Sequence, residues 1–261
     1  FLRFCLPFFP EASLQFAPLL ITLSLIGIIY GALVALVQPD MKKLVAYSSV
    51  SHLGISMLGI FVFTMEGMQG GYFQMISHGL STGALFLLVG MIYERRHTRQ
   101  ISDYGGIWAV MPKYAAAFLL VTMASIGLPF MSGFVGEFLV FLGSFLRNPV
   151  YAALAATSAI LSACYMLWMV QRVLMGTITN DANRLLKDLN ARELALITPL
   201  IVGTIVFGVY PRPILQKAEP SLARVMRFVD EARENQTAAT ATIVLPKEAR
   251  LGNTRSIKVS N

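Results

Sequence analysis

The stretch GLPFMSGFVGEFLVFLG, residues 127–143, decides how this chain folds. It sets one carboxylate, Glu137, among Phe, Val, Leu and Gly, with no basic residue between Lys113 and Arg147. An ionised group in such surroundings is costly unless something partners it. The stretch also lies in the middle of an apolar run, 115–146, which is 32 residues long. As one straight helix that run would measure about 48 Å, against a bilayer core of about 30 Å. Gly127, Pro129, Ser132, Gly133 and Gly136 interrupt it. A proline there removes a donor and clashes with the preceding turn. The spacing predicts two half-helices, about 115–127 and 136–146, broken near 128–135, with Gly127, Pro129, Gly133 and Gly136 as the hinge. Unwound backbone cannot face lipid, because its amides and carbonyls would lack partners. The break is therefore expected inside protein or against a wet cavity. Glu137 is expected in the first turn of the second half-helix, where a helix end favours negative charge.

The rest of the chain fits a membrane. Of its 261 residues, 56% are hydrophobic and 13% charged, and the mean hydropathy is +0.64. A soluble domain carries about 25% charged residues, so a water-facing globule is excluded. Further apolar runs at about 18–37, 44–63, 72–93, 150–171 and 194–210 are each near bilayer length. With the broken run they predict an all-α, polytopic membrane bundle of about six transmembrane helices, one of them discontinuous, over residues 1–213. Residues 214–261 differ in kind. Leu222, Val225, Met226 and Val229 mark an amphipathic helix, followed from about Asn235 by a flexible tail. The opening FLRFCLPFFP has no initiator Met, charged leader or cleavage site, and reads as continuing from upstream sequence.

Charge and cysteine content remove other classes. The net charge of +7 comes from basic residues in short connections and the tail, not along one helical face, so nucleic acid is not an expected partner. Lys42, Lys43, Arg95, Arg96, Arg99, Lys113, Arg172, Arg184, Lys187 and Arg192 fall after spans one, three and five, whereas Arg147 alone follows spans two and four. The first set is expected on the cytoplasmic side. Asp40, after Pro39, is placed to cap the second span. Cys5 and Cys164 lie far apart without ligand spacing and read as buried small hydrophobes. No metal site and no cofactor site is expected.

Two spans carry polar stripes. Ser48, His52 and Ser56 recur every four residues, with Ser49 and Ser51 beside them. Gln74, His78 and Thr82 do the same in the next span, flanked by Ser77 and Ser81. Ser158, Ser162 and Tyr165 form a weaker stripe. The hydroxyls and glycines read first as helix packing, since small residues let helices approach and bond across interfaces. Histidine is different: it titrates near neutrality, and ionisable groups inside spans mark ion pathways. Glu137, His52 and His78 are thus candidate proton carriers. Lys42 reads as a headgroup-snorkelling cation, kept as a supporting polar group.

At these residues a family resemblance enters. QPDMKKLVAYSSVSHLG, QMISHGLSTGALFLLVGMIYERRHTR, SIGLPFMSGFVGEFLV and LKDLNARE with GVYP, in this order, resemble the antiporter-like, proton-pumping membrane subunits of respiratory complex I. The SVSH, ISHGL and YERRHTR strings are similar to the M-subunit, or chain 4, branch. The resemblance runs from residue 1 to about 213. It implies the second half of a fourteen-helix fold built from two inverted repeats, each with a broken helix. It implies a proton path through His52, His78 and Glu137, with the family's other key Glu and Lys groups upstream. It implies a subunit of an H⁺-translocating NADH:quinone oxidoreductase, with NADH, FMN, iron–sulfur clusters and quinone held by partner subunits. The implied partners are other membrane subunits, above all neighbouring antiporter-like ones, and the bilayer. The implied place is the bacterial inner membrane, with the mitochondrial inner membrane as alternative. Family members often carry a second small residue after the hinge proline, where this chain has Phe130. Subunits of multi-subunit cation/proton antiporters and of membrane-bound hydrogenases share these features and are the competing readings. A purely structural scaffold is the third, and the cost of intramembrane charge argues against it.

Overall fold

The computed structural model describes residues 1–244, and side chains to residue 238. The part of the expected flexible tail beyond residue 244 lies outside the described residues. These fall into two units, residues 17–222 and residues 1–16 with 223 onward. Helices account for the described chain in this order: α1 (Cys5–Phe8), α2 (Pro10–Leu36), α3 (Met41–Phe61), α4 (Met65–Arg96), α5 (Ile107–Val110), α6 (Pro112–Ile126), α7 (Ser132–Arg147), α8 (Pro149–Leu174), α9 (Ala191–Val209) and α10 (Arg212–Val244). Of these, α2, α3, α4, α8 and α9 are long and apolar enough to cross a membrane. Helices α6 and α7, of 15 and 16 residues, are the two halves of the broken run. Each is about 23 Å long, too short to span alone.

Caps set the helix starts. The Asp40 carboxylate accepts from the Lys43 amide at 3.1 Å, as its position predicts. Thr64 caps α4 through the Gly67 amide at 3.2 Å. Asn148 caps α8 ahead of Pro149, where a missing N–H costs nothing. Asn190 and Glu193 form a reciprocal capping box on α9.

Several boundaries differ from the sequence reading. Helix α2 begins at Pro10, well before residue 18, and runs through Pro18. The break is shorter than expected, residues 127–131, and α7 starts at Ser132. Gly133 and Gly136 therefore lie inside α7 and are not hinge residues. Their missing side chains serve close packing: a Cβ on Gly133 would strike the Ala124 carbonyl oxygen. Helix α10 continues to Val244 where a tail was expected from Asn235, and it keeps Pro220 in its interior. Cys164 is exposed and Cys5 half-buried, not fully buried. On a membrane helix an outward face is still apolar, so exposure costs such a residue little.

Residues 17–222 pack around α4, which lies between α3 and α7. Leu44, Leu88, Ile92, Tyr114, Phe118 and Met169 belong to its fully buried core. Glycines bring the backbones together where α4 meets α7. A Cβ on Gly143 would strike the Gly67 amide, and one on Gly70 would stand 2.6 Å from the Val140 amide. Such small-residue contacts let membrane helices exploit close van der Waals packing.

At the end of the bundle expected to face the cytoplasm, basic residues are tied into the loops. Arg95 makes a two-pronged contact with Glu193, at 2.7 and 2.6 Å, and also donates to the Lys187 carbonyl. Asp188 accepts from the amides of Lys113 and Tyr114, so one loop fastens the starts of α6 and α9 to the end of α4. Gly143→Val would overpack the α4–α7 contact, at a cost of about 1–3 kcal/mol or more. The expected result is a sharp fall in the membrane level of the assembled protein, measured by immunoblot. Parental levels would show that these helices are not in close contact.

Candidate functional site

The broken helix positions the site. Gly127 ends α6 at φ 83°, and the Leu128 amide returns to the Met123 carbonyl at 3.1 Å, closing the helix end on itself. Pro129 follows, and Phe130 sits at φ 73°. Positive φ is unusual for a bulky residue. It explains why a small residue suits the position after the proline. Phe130 holds this conformation with its ring 74% exposed. Gly208 of α9 leaves room for the hinge, since a Cβ there would strike the Phe130 carbonyl oxygen.

Glu137 lies in the second turn of α7, the sixth residue from Ser132, not in the first turn. The helix-end argument for its charge is correspondingly weaker, since that field fades beyond the first turn. Its partners are side chains. His52 Nδ1 stands 3.1 Å from Glu137 Oε1, and the Gln74 amide donates to the same oxygen at 3.4 Å. Both Glu137 and His52 are buried. With the carboxylate ionised, His52 donates from Nδ1, which leaves Nε2 free to accept or, in the imidazolium, to donate. The second carboxylate oxygen points at the break: a Cβ on Gly127 would lie 2.8 Å from Oε2. Gly136 lets Gln74 come this close, because a Cβ there would meet the Gln74 side chain.

His78 continues the group. Its ring centre is 5.5 Å from that of His52, and its Nδ1 is 3.0 Å from the Thr82 hydroxyl. Ser77 bonds Ser132 at 2.7 Å, tying α4 to the start of α7. Three helices thus deliver Glu137, His52, His78 and Gln74 to one place.

Other predicted polar residues stand apart. Ser49 donates to the Val45 carbonyl, Ser51 to Ile28 on α2, and Ser81 to Ser77. These are packing bonds. Ser48 donates to Val45 and lies beside the buried Tyr165 hydroxyl of α8, which is within electrostatic reach of Glu137. That contact does not meet hydrogen-bond geometry, and the Tyr165 oxygen has no other partner among the described residues. Lys42 is exposed at the start of α3, beside Arg99 in a separate cavity. Thr122 and Ser125 of α6, buried with unpartnered hydroxyls, were not singled out from sequence. Two hydroxyls one turn apart just before a predicted break were the available signal.

The family described as NADH:quinone oxidoreductase/Mrp antiporter, TM, matches residues 1–162. The chain belongs to this family. It is 45% identical over 230 residues to the NADH-quinone oxidoreductase subunit M of Mycobacterium tuberculosis, covering 88% of this chain and 41% of that protein. Identity is 47% to the Rhodobacter capsulatus subunit M, over 87% of this chain and 44% of the relative. It is 43% to the NADH-ubiquinone oxidoreductase chain 4 of Arabidopsis thaliana, over 87% and 46%. This chain therefore spans less than half the length of these relatives. Among solved structures, a chain of respiratory complex I from Thermus thermophilus superposes with a TM-score of 0.81 at 36% identity, over 88% of this chain and 48% of that one. The Mrp complex from Dietzia gives 0.76 at 21% identity, over 89% and 51%, a likeness of fold alone. Membership of this antiporter-like family agrees with an all-α membrane bundle containing a broken helix.

Gly127→Ala would place a side chain at positive φ and against the Glu137 carboxylate, costing about 1–2 kcal/mol for the backbone alone. Phe130→Gly would relieve the same kind of strain. Thermal unfolding of the solubilised protein is expected to fall for the first variant and rise for the second. Equal midpoints would refute the described hinge.

Proposed function

We propose that this chain carries part of a proton path in the membrane arm of an H⁺-translocating NADH:quinone oxidoreductase, with Glu137, His52 and His78 as the carriers. The observation that carries this reading is the buried Glu137–His52 contact at 3.1 Å beside the helix break, with His78 5.5 Å further on by ring centres. In low dielectric, a gain or loss of charge nearby strongly changes the proton affinity of such groups. A proton moving between His52 and Glu137 crosses one hydrogen bond. Between His52 and His78 the ring centres are 5.5 Å apart, and His52 Nε2 and Gln74 Oε1, without hydrogen-bond partners among the described residues, are polar atoms that a relay can use. Unwound backbone at the break adds further polar groups.

On this reading the redox work is done elsewhere. NADH, FMN, iron–sulfur clusters and quinone belong to partner subunits, and this chain converts changes in neighbouring charge into proton movement. Its partners are neighbouring antiporter-like membrane subunits. The bacterial inner membrane is the proposed location, with the mitochondrial inner membrane as the alternative, since both bacterial and plant relatives are similar. The Mrp-type antiporter reading uses the same geometry, but rests on lower identity, 21% against 43–47%.

Glu137→Gln keeps shape and removes the proton. In the reconstituted complex it is expected to abolish or sharply cut proton pumping while assembly survives. Normal pumping at normal enzyme level would overturn the proposal. His52→Ala and His78→Ala are expected to give partial losses in the same assay. A loss of assembly without a loss of pumping per complex would make both residues packing groups.

A further inference from the structure

The cation Lys42 is not used by the proton path. It lines an open cavity of about 430 Å³ with Phe86, Val89, Gly90, Tyr93 and Arg99. The charges there do not cancel. Arg99 pairs with Asp40 at 3.4 Å and lies over the Tyr93 ring, 5.5 Å from its centre. Asp40 is buried and already committed, to Arg99 and to the cap of α3. Lys42 is exposed, and among the described residues no acidic one lines the cavity with it. Glu94, the next nearest acid along α4, lines the adjoining cavity with Arg192 and Glu193.

The cavity adjoins an open apolar face of α4. Gly79, Gly83, Phe86, Gly90 and Tyr93 share one face of α4, because their offsets of 4, 7, 11 and 14 residues from Gly79 return to nearly the same angle. A Cβ on Gly79, Gly83 or Gly90 would meet nothing within 4 Å. From Gly79 to Gly90 this face runs about 16 Å along the helix, close to half the bilayer core. It ends at the cationic pocket, which lies at the basic, loop-bearing end of the spans.

The geometry points to a binding site for one anionic phospholipid, with its phosphate between Lys42 and Arg99 and an acyl chain along the glycine face of α4. The charge selects the ligand. A single phosphodiester neutralises the unmatched cation, and basic pockets at the cytoplasmic ends of membrane helices favour anionic headgroups over neutral ones. The open apolar face beside the cations explains why the ligand is a lipid and not free phosphate. This site depends on the chain lying in a bilayer and not on the proton-path reading, and its readout contains no proton.

The test is photolabelling of the full-length protein in its assembled complex, with phosphatidylglycerol carrying a photoactivatable acyl chain. Label on the α4 segment 79–93 is measured by mass spectrometry. The parent protein is expected to be labelled there, and much less by the phosphatidylcholine analogue. Lys42→Gln is expected to lower the labelling affinity roughly fivefold, since one headgroup-facing cation contributes about 1 kcal/mol. Lys42→Arg should retain it. Gly90→Leu puts bulk on this face without touching charge, its Cβ meeting no atom within 4 Å, and is expected to remove the label. Unchanged labelling in Gly90→Leu would overturn the site in favour of diffuse surface attraction. Absence of label in the parent would mean that another polypeptide covers this face. Full competition by inorganic phosphate would make it an anion site without a lipid.

Discussion

A carboxylate withdrawn from water at the meeting of three helices is the constraint on which the rest of this structure depends. An unpartnered charge in that position would be prohibitively expensive. Glu137 therefore needs His52 and Gln74 within reach, and both must arrive from other helices. Helix α4 can come that close to α7 only because glycines stand at the crossing, Gly136 opposite Gln74 and Gly143 opposite Gly67. The break at 127–131 completes the arrangement by opening backbone toward the second carboxylate oxygen. Packing and chemistry thus impose the same demand on the same residues.

Much of this was legible in the sequence, for physical reasons. An apolar run too long for the bilayer, with glycine and proline in its middle, has few solutions other than a broken helix. Four-residue spacing put His52 and His78 on polar faces, and the rarity of ionisable groups in spans picked out Glu137. Their actual proximity was not legible, because it depends on how three helices cross. Sequence also misassigned Gly133 and Gly136 to the hinge. A glycine that ends a helix and one that admits a neighbour look alike in one dimension. Of Gly127, Gly133 and Gly136, Gly127 alone carries the left-handed backbone that marks the first kind.

Polar residues sort by the same logic. Ser49, Ser51 and Ser81 satisfy their hydroxyls on backbone carbonyls and belong to helix packing. His52 Nε2, Gln74 Oε1 and the Tyr165 hydroxyl find no such partner among the described residues. Buried polar atoms without partners are rare in folded proteins and usually mark function or bound water. These three cluster around Glu137, whereas Lys42, which the sequence marks as a snorkelling cation and supporting polar group, is exposed in a separate cavity. Position within the bundle, more than residue type, separates the buried Glu137 group from the exposed Lys42.

The central claim is that Glu137 changes protonation during turnover. Infrared difference spectroscopy of the assembled complex, comparing resting with energised membranes, reads this directly through the carbonyl stretch of a protonated carboxylic acid. The account predicts a band that appears or disappears on energisation, shifts in heavy water, and is missing in Glu137→Gln. A carboxyl difference spectrum identical in parent and variant would contradict it.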